Sequence, residues 1–101
     1  GDFVYVSGQL GLNPADGSLA PDVVEQARQS LKNIGEILKA SGCDYSNVVK
    51  TSVFITDLSA FAAVNKVYAT FFSKPYPARS CVEVSKLPKG GLVEIECIAK
   101  K

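Results

Sequence analysis

Over residues 93–99 the chain alternates without interruption. Val93, Ile95, Cys97 and Ala99 fall on one side of an extended strand, while Glu94, Glu96 and Ile98 fall on the other. Such a strand buries one face and needs an apolar layer to cover it. Two amphipathic helices can supply that layer. In the first, Val24, Ala27, Leu31, Ile34 and Leu38 recur at steps of three and four and make one stripe. Pro21 suits its first turn and Gly42 its C-terminal stop. The second is predicted from a cap at Asp57 or Ser59 to about residue 72, with Phe61, Val64, Tyr68 and Phe71 as its stripe and Val67 and Phe72 beside it.

Further strands are predicted at residues 3–7, 48–56 and 80–84, where β-branched and aromatic residues concentrate. The first can run on through Gly8 and Gly11 as a bulged or second strand, before Asn13-Pro14 and Asp16-Gly17 turn the chain. The predicted order is β-(β)-α-β-α-β-β, a single α+β domain over residues 1–101 with both helices on one face of the sheet. Two helices leave the second sheet face uncovered. That face mixes charged and apolar residues, which predicts burial against copies of the same chain. Within residues 80–84 the alternation sets Val82 and Val84 against Arg79, Cys81 and Glu83, and the apolar pair is expected to meet the helices.

Composition narrows the chemistry. The 101 residues include no histidine, which removes the commonest base near neutral pH and the usual zinc ligand. Cys43, Cys81 and Cys97 are odd in number and form no C-x-x-C pair, so they read as reduced thiols rather than a disulfide or zinc framework. A net charge of +1 offers no strong field for polyanions, and no nucleic-acid motif accompanies the basic residues. No apolar run reaches the length of about 20 residues that a membrane-spanning helix needs.

Catalysis must then rest on carboxylates, arginine, lysine, tyrosine, thiols, backbone groups and water. Arg79 opens a strand directly after the restrained segment Tyr76-Pro77-Ala78, and its planar fork matches a carboxylate. The plainer reading is an ion pair with Glu83 or Glu94. Glu94, expected on the adjoining strand and the same face, can orient or deprotonate a water, and periodicity leaves Glu96 as an equal candidate. Cys81 invites a nucleophilic role beside that cation, but without a histidine base a small buried residue is the better reading. Gly8 can bring a backbone amide close to a ligand, or simply form a bulge.

The segments Y-V-S-G-Q-L-G-L-N-P (5–14), Q-A-R-Q-S-L-K-N-I-G-E-I-L-K-A-S-G-C (26–43), V-V-K-T-S-V-F-I-T-D-L (48–58), F-A-A-V-N (61–65), P-A-R-S-C-V-E-V (77–84), L-P-K-G (87–90) and V-E-I-E-C-I-A (93–99) resemble the RidA/YjgF family over nearly the whole chain. The resemblance implies a chorismate-mutase-like fold with one mixed sheet. It implies a homotrimer with a central β-barrel and clefts between subunits. The activity implied is cofactor-free hydrolysis of reactive 2-imino acids, such as 2-iminobutanoate and 2-iminopropanoate, to 2-oxo acids and ammonia. Pyridoxal-phosphate-dependent dehydratases would release the substrates. Arg79 would clamp the substrate carboxylate and Glu94, rather than Glu96, would hold the water. Cys81 would offer backbone contacts, Ser7 and Gly8 would form the cleft wall, and Asn65 would lie beside the ligand at the subunit interface. Family members also carry about two dozen further N-terminal residues with a strand and a cleft-reaching Tyr, a region this sequence lacks. A cytoplasmic location is expected, or an organellar one if a targeting segment precedes Gly1. Two other functions fit less well: a non-catalytic module binding 2-oxo acids or similar carboxylates, and an RNA-acting translation inhibitor.

Overall fold

Helix α1 (Val23–Ala40) is closed at both ends by its own sequence. The Asp22 carboxylate accepts from the Glu25 amide at 2.8 Å, an N-cap that satisfies one of the free amides of the first turn. At the other end Gly42 takes a φ of 80°, which a side chain would resist. The Cys43 amide then reaches back to the Leu38 carbonyl at 2.8 Å and the Gly42 amide to the Lys39 carbonyl at 3.1 Å, so the chain turns sharply off the helix.

The computed structural model describes residues 2–101. Around α1 it sets strand β1 (Phe3–Leu10), strand β2 (Val48–Ile55), helix α2 (Phe61–Ala69), strand β3 (Ala78–Glu83) and strand β4 (Val93–Lys100). The sheet order is β1-β4-β2-β3, with β4 antiparallel to β1 and β2, and β2 parallel to β3. The parallel pair requires a crossover, which the segment containing α2 supplies. The architecture is thus the expected α+β layering of two helices on a mixed sheet. The optional second strand proves to be β1 itself, which continues past a bulge at Ser7 and Gly8.

The core lies between helices and sheet. Ala27, Leu31, Ile34 and Leu38 of α1 meet Val93, Ile95, Cys97 and Ala99 of β4, all essentially out of solvent. Burying a side chain of the size of Leu or Ile contributes about 1.5–3 kcal/mol. Three polar residues share this interior, and each is satisfied. Ser30 donates to the Gln9 carbonyl at 2.6 Å; Gln26 donates to the Ala20 carbonyl at 3.0 Å and accepts from the Leu92 amide at 2.8 Å; Thr51 bonds the Tyr68 hydroxyl at 2.7 Å. Periodicity gave no sign of Gln26 or Ser30 as interior residues, because their partners lie outside the helix, on β1 and in the segments before α1 and β4.

Three expectations need correction. Helix α2 is shorter than residues 57–72: Asp57 caps a separate 3-10 turn at Leu58–Ala60, and tighter bonds from Thr70 and Phe71 end the helix after Ala69. The tightened end lets Phe71 and Phe72 both pack edge-on against Tyr45, at 5.5 and 5.8 Å. Second, β3 faces the opposite way from the expectation. Its register pairs Arg79, Cys81 and Glu83 with Thr51, Val53 and Ile55, which are buried under the helices. Val82 instead lies on the open face and is 46% exposed. An edge strand beyond the core can turn long polar side chains toward a helix without burying their charges. Third, β3 and β4 do not adjoin, because β2 runs between them.

Candidate active site

Arg79 stands on the edge strand with its guanidinium over α2. Its Nη1 donates to Asn65 Oδ1 at 2.5 Å, and its Cζ lies 5.2 Å from the Phe61 ring centroid and 4.8 Å from that of Tyr68. Residues 61, 65 and 68 occupy one helical face, so a single element meets the cation at three points. A guanidinium carries five N–H donors, and only one is engaged by a side chain here. The rest of the fork is open to a carboxylate. Hollows flank it on both sides: one of about 340 Å³ bounded by Asn65, Tyr68, Ala69, Phe72, Tyr76 and Arg79, another of about 430 Å³ bounded by Leu58, Phe61, Arg79 and Cys81.

The plain ion-pair reading of Arg79 is not what the fold contains. Among the described residues the one salt bridge is Arg28 with Glu25, at 3.2 Å. Glu83 is occupied elsewhere, accepting from the Leu58 amide at 2.8 Å and so tying β3 to the turn before α2. Cys81 is half-buried against the core beside the cation. Burial pushes its thiol upward and Arg79 pulls it back only in part, so the sulfur remains protonated near neutral pH. Burial likewise raises the Tyr68 phenol, against the opposing effects of the Thr51 bond and of Arg79.

Glu94 belongs to a different cluster. It alternates with the buried Val93 and Ile95 and pairs with Phe54, which places it on the open face of the sheet. There it packs on the β1 bulge. A Cβ added at Gly8 would meet Glu94 Cδ at 2.7 Å and Oε1 at 2.9 Å, so only glycine leaves room for this carboxylate. Gly8 therefore has a steric reason that a bulge alone would not require. The adjacent Ser7 is exposed and borders an open-face hollow of about 250 Å³ with Lys50, Ser52 and Glu96.

The sequence-predicted residues thus fall into two groups. Arg79, Asn65 and Cys81 gather on the helix side of β3; Ser7, Gly8 and Glu94 gather on the open side of β1 and β4. Phe61 and Tyr68 were legible only as stripe residues of the second helix and Thr51 only as part of a strand, since nothing in their spacing announces a cation above the tyrosine. Among the described residues no cluster of His, Cys, Asp and Glu has the makings of a metal site.

A family model described as endoribonuclease L-PSP matches residues 1–101. The chain belongs to this family. It is also known as the RidA/YjgF family, and the motifs around Arg79 and Glu94 are part of the resemblance. The chain is 58% identical over 97 residues to the 2-iminobutanoate/2-iminopropanoate deaminase of Capra hircus, covering 95% of this chain and 71% of that protein. The crystal structure of RidA from an Antarctic Psychrobacter species superposes with a TM-score of 0.98 at 48% identity, over 100% of this chain and 82% of that one. Escherichia coli TdcF, solved with bound serine, gives a TM-score of 0.95 at 45% identity, over 100% of this chain and 82% of its own.

Proposed function

We infer that this chain is a hydrolytic deaminase of 2-imino acids, converting 2-iminobutanoate, 2-iminopropanoate and their enamine tautomers to 2-oxo acids and ammonia. The observation that carries the reading is its 50–58% identity, over 95% of its length, to proteins named as that deaminase. The geometry agrees with the chemistry. An open guanidinium fork suits the substrate carboxylate, and the flanking hollows have room for a small apolar side chain.

A protonated imine carbon is electrophilic without a covalent intermediate. Water adds to the C=N carbon, its proton passes to the nitrogen, and the resulting carbinolamine expels ammonia to leave the ketone. Fixing the carboxylate and aiming the water supplies the rate advantage through orientation. In this scheme Arg79 clamps the carboxylate and Glu94 holds the water and relays its proton. Asn65 steadies the clamp, the Cys81 backbone borders it, and Ser7 and Gly8 form the wall beside Glu94. No cofactor takes part.

Arg79 and Glu94 lie on opposite sides of one sheet, so a site using both takes Arg79 from one copy and Glu94 from its neighbour. The open face supports this reading: Phe3 is 49% and Tyr5 74% exposed at its β1 edge, and Val82 is 46% exposed at its β3 edge. The assembly is a homotrimer whose open faces enclose a central barrel. Pyridoxal-phosphate-dependent dehydratases supply the imines, and the protein works in the cytoplasm. The endoribonuclease description of the family model finds less support in this chain, which has no histidine and a net charge of only +1.

The test couples a threonine dehydratase, which releases 2-iminobutanoate, to the decay of that imine. Wild type should accelerate the decay, and Arg79→Ala and Glu94→Ala should each abolish the acceleration while the oligomer persists. A wild type that binds 2-oxobutanoate yet leaves imine decay unchanged would instead identify a carboxylate-binding module.

A further inference from the structure

Arg79 is solvent-exposed on an edge strand, where a long cationic side chain ordinarily samples many rotamers. Here it lies against the ring of Tyr68, and that ring is itself fixed. Tyr68 is only 7% exposed, stacks on Phe72 at a centroid distance of 4.7 Å, and its hydroxyl bonds Thr51 Oγ1 at 2.7 Å. Thr51 has no solvent exposure, and in the β2–β3 ladder it is the register partner of Arg79. The contacts close on themselves. Arg79 and Thr51 are fixed neighbours through the backbone, Thr51 fixes the Tyr68 ring through its hydroxyl, and the Tyr68 ring underlies the Arg79 guanidinium.

We propose that Thr51 and Tyr68 are positioning residues for the carboxylate clamp: their buried hydroxyl–hydroxyl bond sets the plane of the Tyr68 ring, and that plane holds the guanidinium of Arg79 pre-aligned for a substrate carboxylate. The inference rests on the reading of Arg79 as the clamp. Thr51 is fully buried and acts only through the Tyr68 ring, and the ring acts through the face it presents to Arg79. A cation over an aromatic face gains about 0.5–1 kcal/mol at exposed sites, enough to favour one guanidinium orientation while leaving the fork open. Asn65 fixes one edge of the same group, so the ring and the amide together leave it little rotation.

The hydroxyl pair can be removed without changing shape. Thr51→Val and Tyr68→Phe singly each strand a buried hydroxyl and destabilise the fold, whereas the double variant strands none and should melt close to wild type. The sharpest readout is rotation of the guanidinium in 15N-labelled protein, followed by NMR. The chain has only two arginines, and Arg28, paired with Glu25, serves as the internal control. Rotation of Arg79 should be slow in wild type and several-fold faster in the double variant, with Arg28 unchanged. Calorimetric affinity for 2-oxobutanoate should fall about two- to fivefold, and KM should rise by a similar factor with kcat nearly unchanged, as for an interaction made equally in ground and transition states.

A merely structural role would move the melting temperature and leave rotation and affinity alone. Unchanged rotation in the double variant overturns the proposal. So does faster rotation accompanied by unchanged 2-oxobutanoate affinity. Should wild type hydrolyse no imine while rotation and carboxylate affinity still depend on the hydroxyl pair, the deaminase reading falls and the positioning role stands.

Discussion

Arg79 and Glu94 leave the same sheet from opposite faces, with β2 between their strands. Arg79 shares the helix side with its register partner Thr51, and Glu94 shares the open side with its partner Phe54. No side-chain rotation carries a carboxylate through a hydrogen-bonded sheet. If both residues serve one reaction, two copies must contribute. The expected consequence is complementation. Arg79→Ala and Glu94→Ala are each inactive alone, but co-assembled in equal amounts they regain activity in about a quarter of the sites, because a quarter then draw both intact residues from different copies. Imine decay measured on the co-expressed mixture checks this, and no recovery would place the whole reaction within one copy.

Gly8 and Glu94 offer a second test. With a Cβ at residue 8 meeting Glu94 Cδ at 2.7 Å, the carboxylate must swing away from the bulge. A displacement of about 1 Å in a group that aims water can lower the rate a hundredfold. With Glu94 holding the water and Arg79 clamping the carboxylate as proposed, Gly8→Ala is expected to lower kcat by about 10- to 100-fold while KM changes little. Steady-state kinetics beside a melting curve separates this from unfolding. A fall confined to KM would place the glycine at the clamp instead.

The layering was legible because it depends on period alone. The stripe from Val24 to Leu38 and the alternation from Val93 to Ala99 each name a buried face without reference to anything distant. The reversed face of β3 was not legible. Its apolar residues are few, and whether Val82 or Cys81 turns inward is decided by the parallel register with β2, a non-local fact. For the same reason Arg79 and Glu94 were expected together: alternation says which residues share a face of one strand, not which strand lies beside it. The glycine at 8 was visible as special, but its cause, the Glu94 carboxylate pressed against it, came only with the pairing of β1 and β4.

Thiol reactivity should separate Cys81 from a catalytic cysteine. Its thiol is shifted upward by burial, more than the neighbouring Arg79 shifts it downward. An activated cysteine would show the opposite balance. At pH 8 Cys81 is expected to alkylate with iodoacetamide several-fold more slowly than a free thiol of pKa about 8.5. Its rate should still be climbing above pH 9. Peptide mass spectrometry after timed quenching measures it. A fast, pH-independent reaction near neutrality would restore Cys81 as a nucleophile.

Cys97 predicts how stability responds to alkali. It lies in the core against α1, and burial, assisted by the nearby Glu96 charge, pushes its thiol up to about 11 from 9. The folded state therefore holds this proton more tightly than the unfolded chain does. The contribution is fully present below pH 9, where both states are protonated. Above it the unfolded chain sheds its proton first, so stability is lost as pH rises from about 9 through 11. Raised tyrosines add to the same trend: burial lifts both Tyr45 and Tyr68 above 10. Urea unfolding midpoints are expected to be flat up to pH 9 and to fall between pH 9 and 11. Cys97→Ala should be less stable overall because of the small cavity it leaves, yet lose less with rising pH than wild type does. A parallel fall in the two proteins would mean that the tyrosines, not Cys97, carry the dependence.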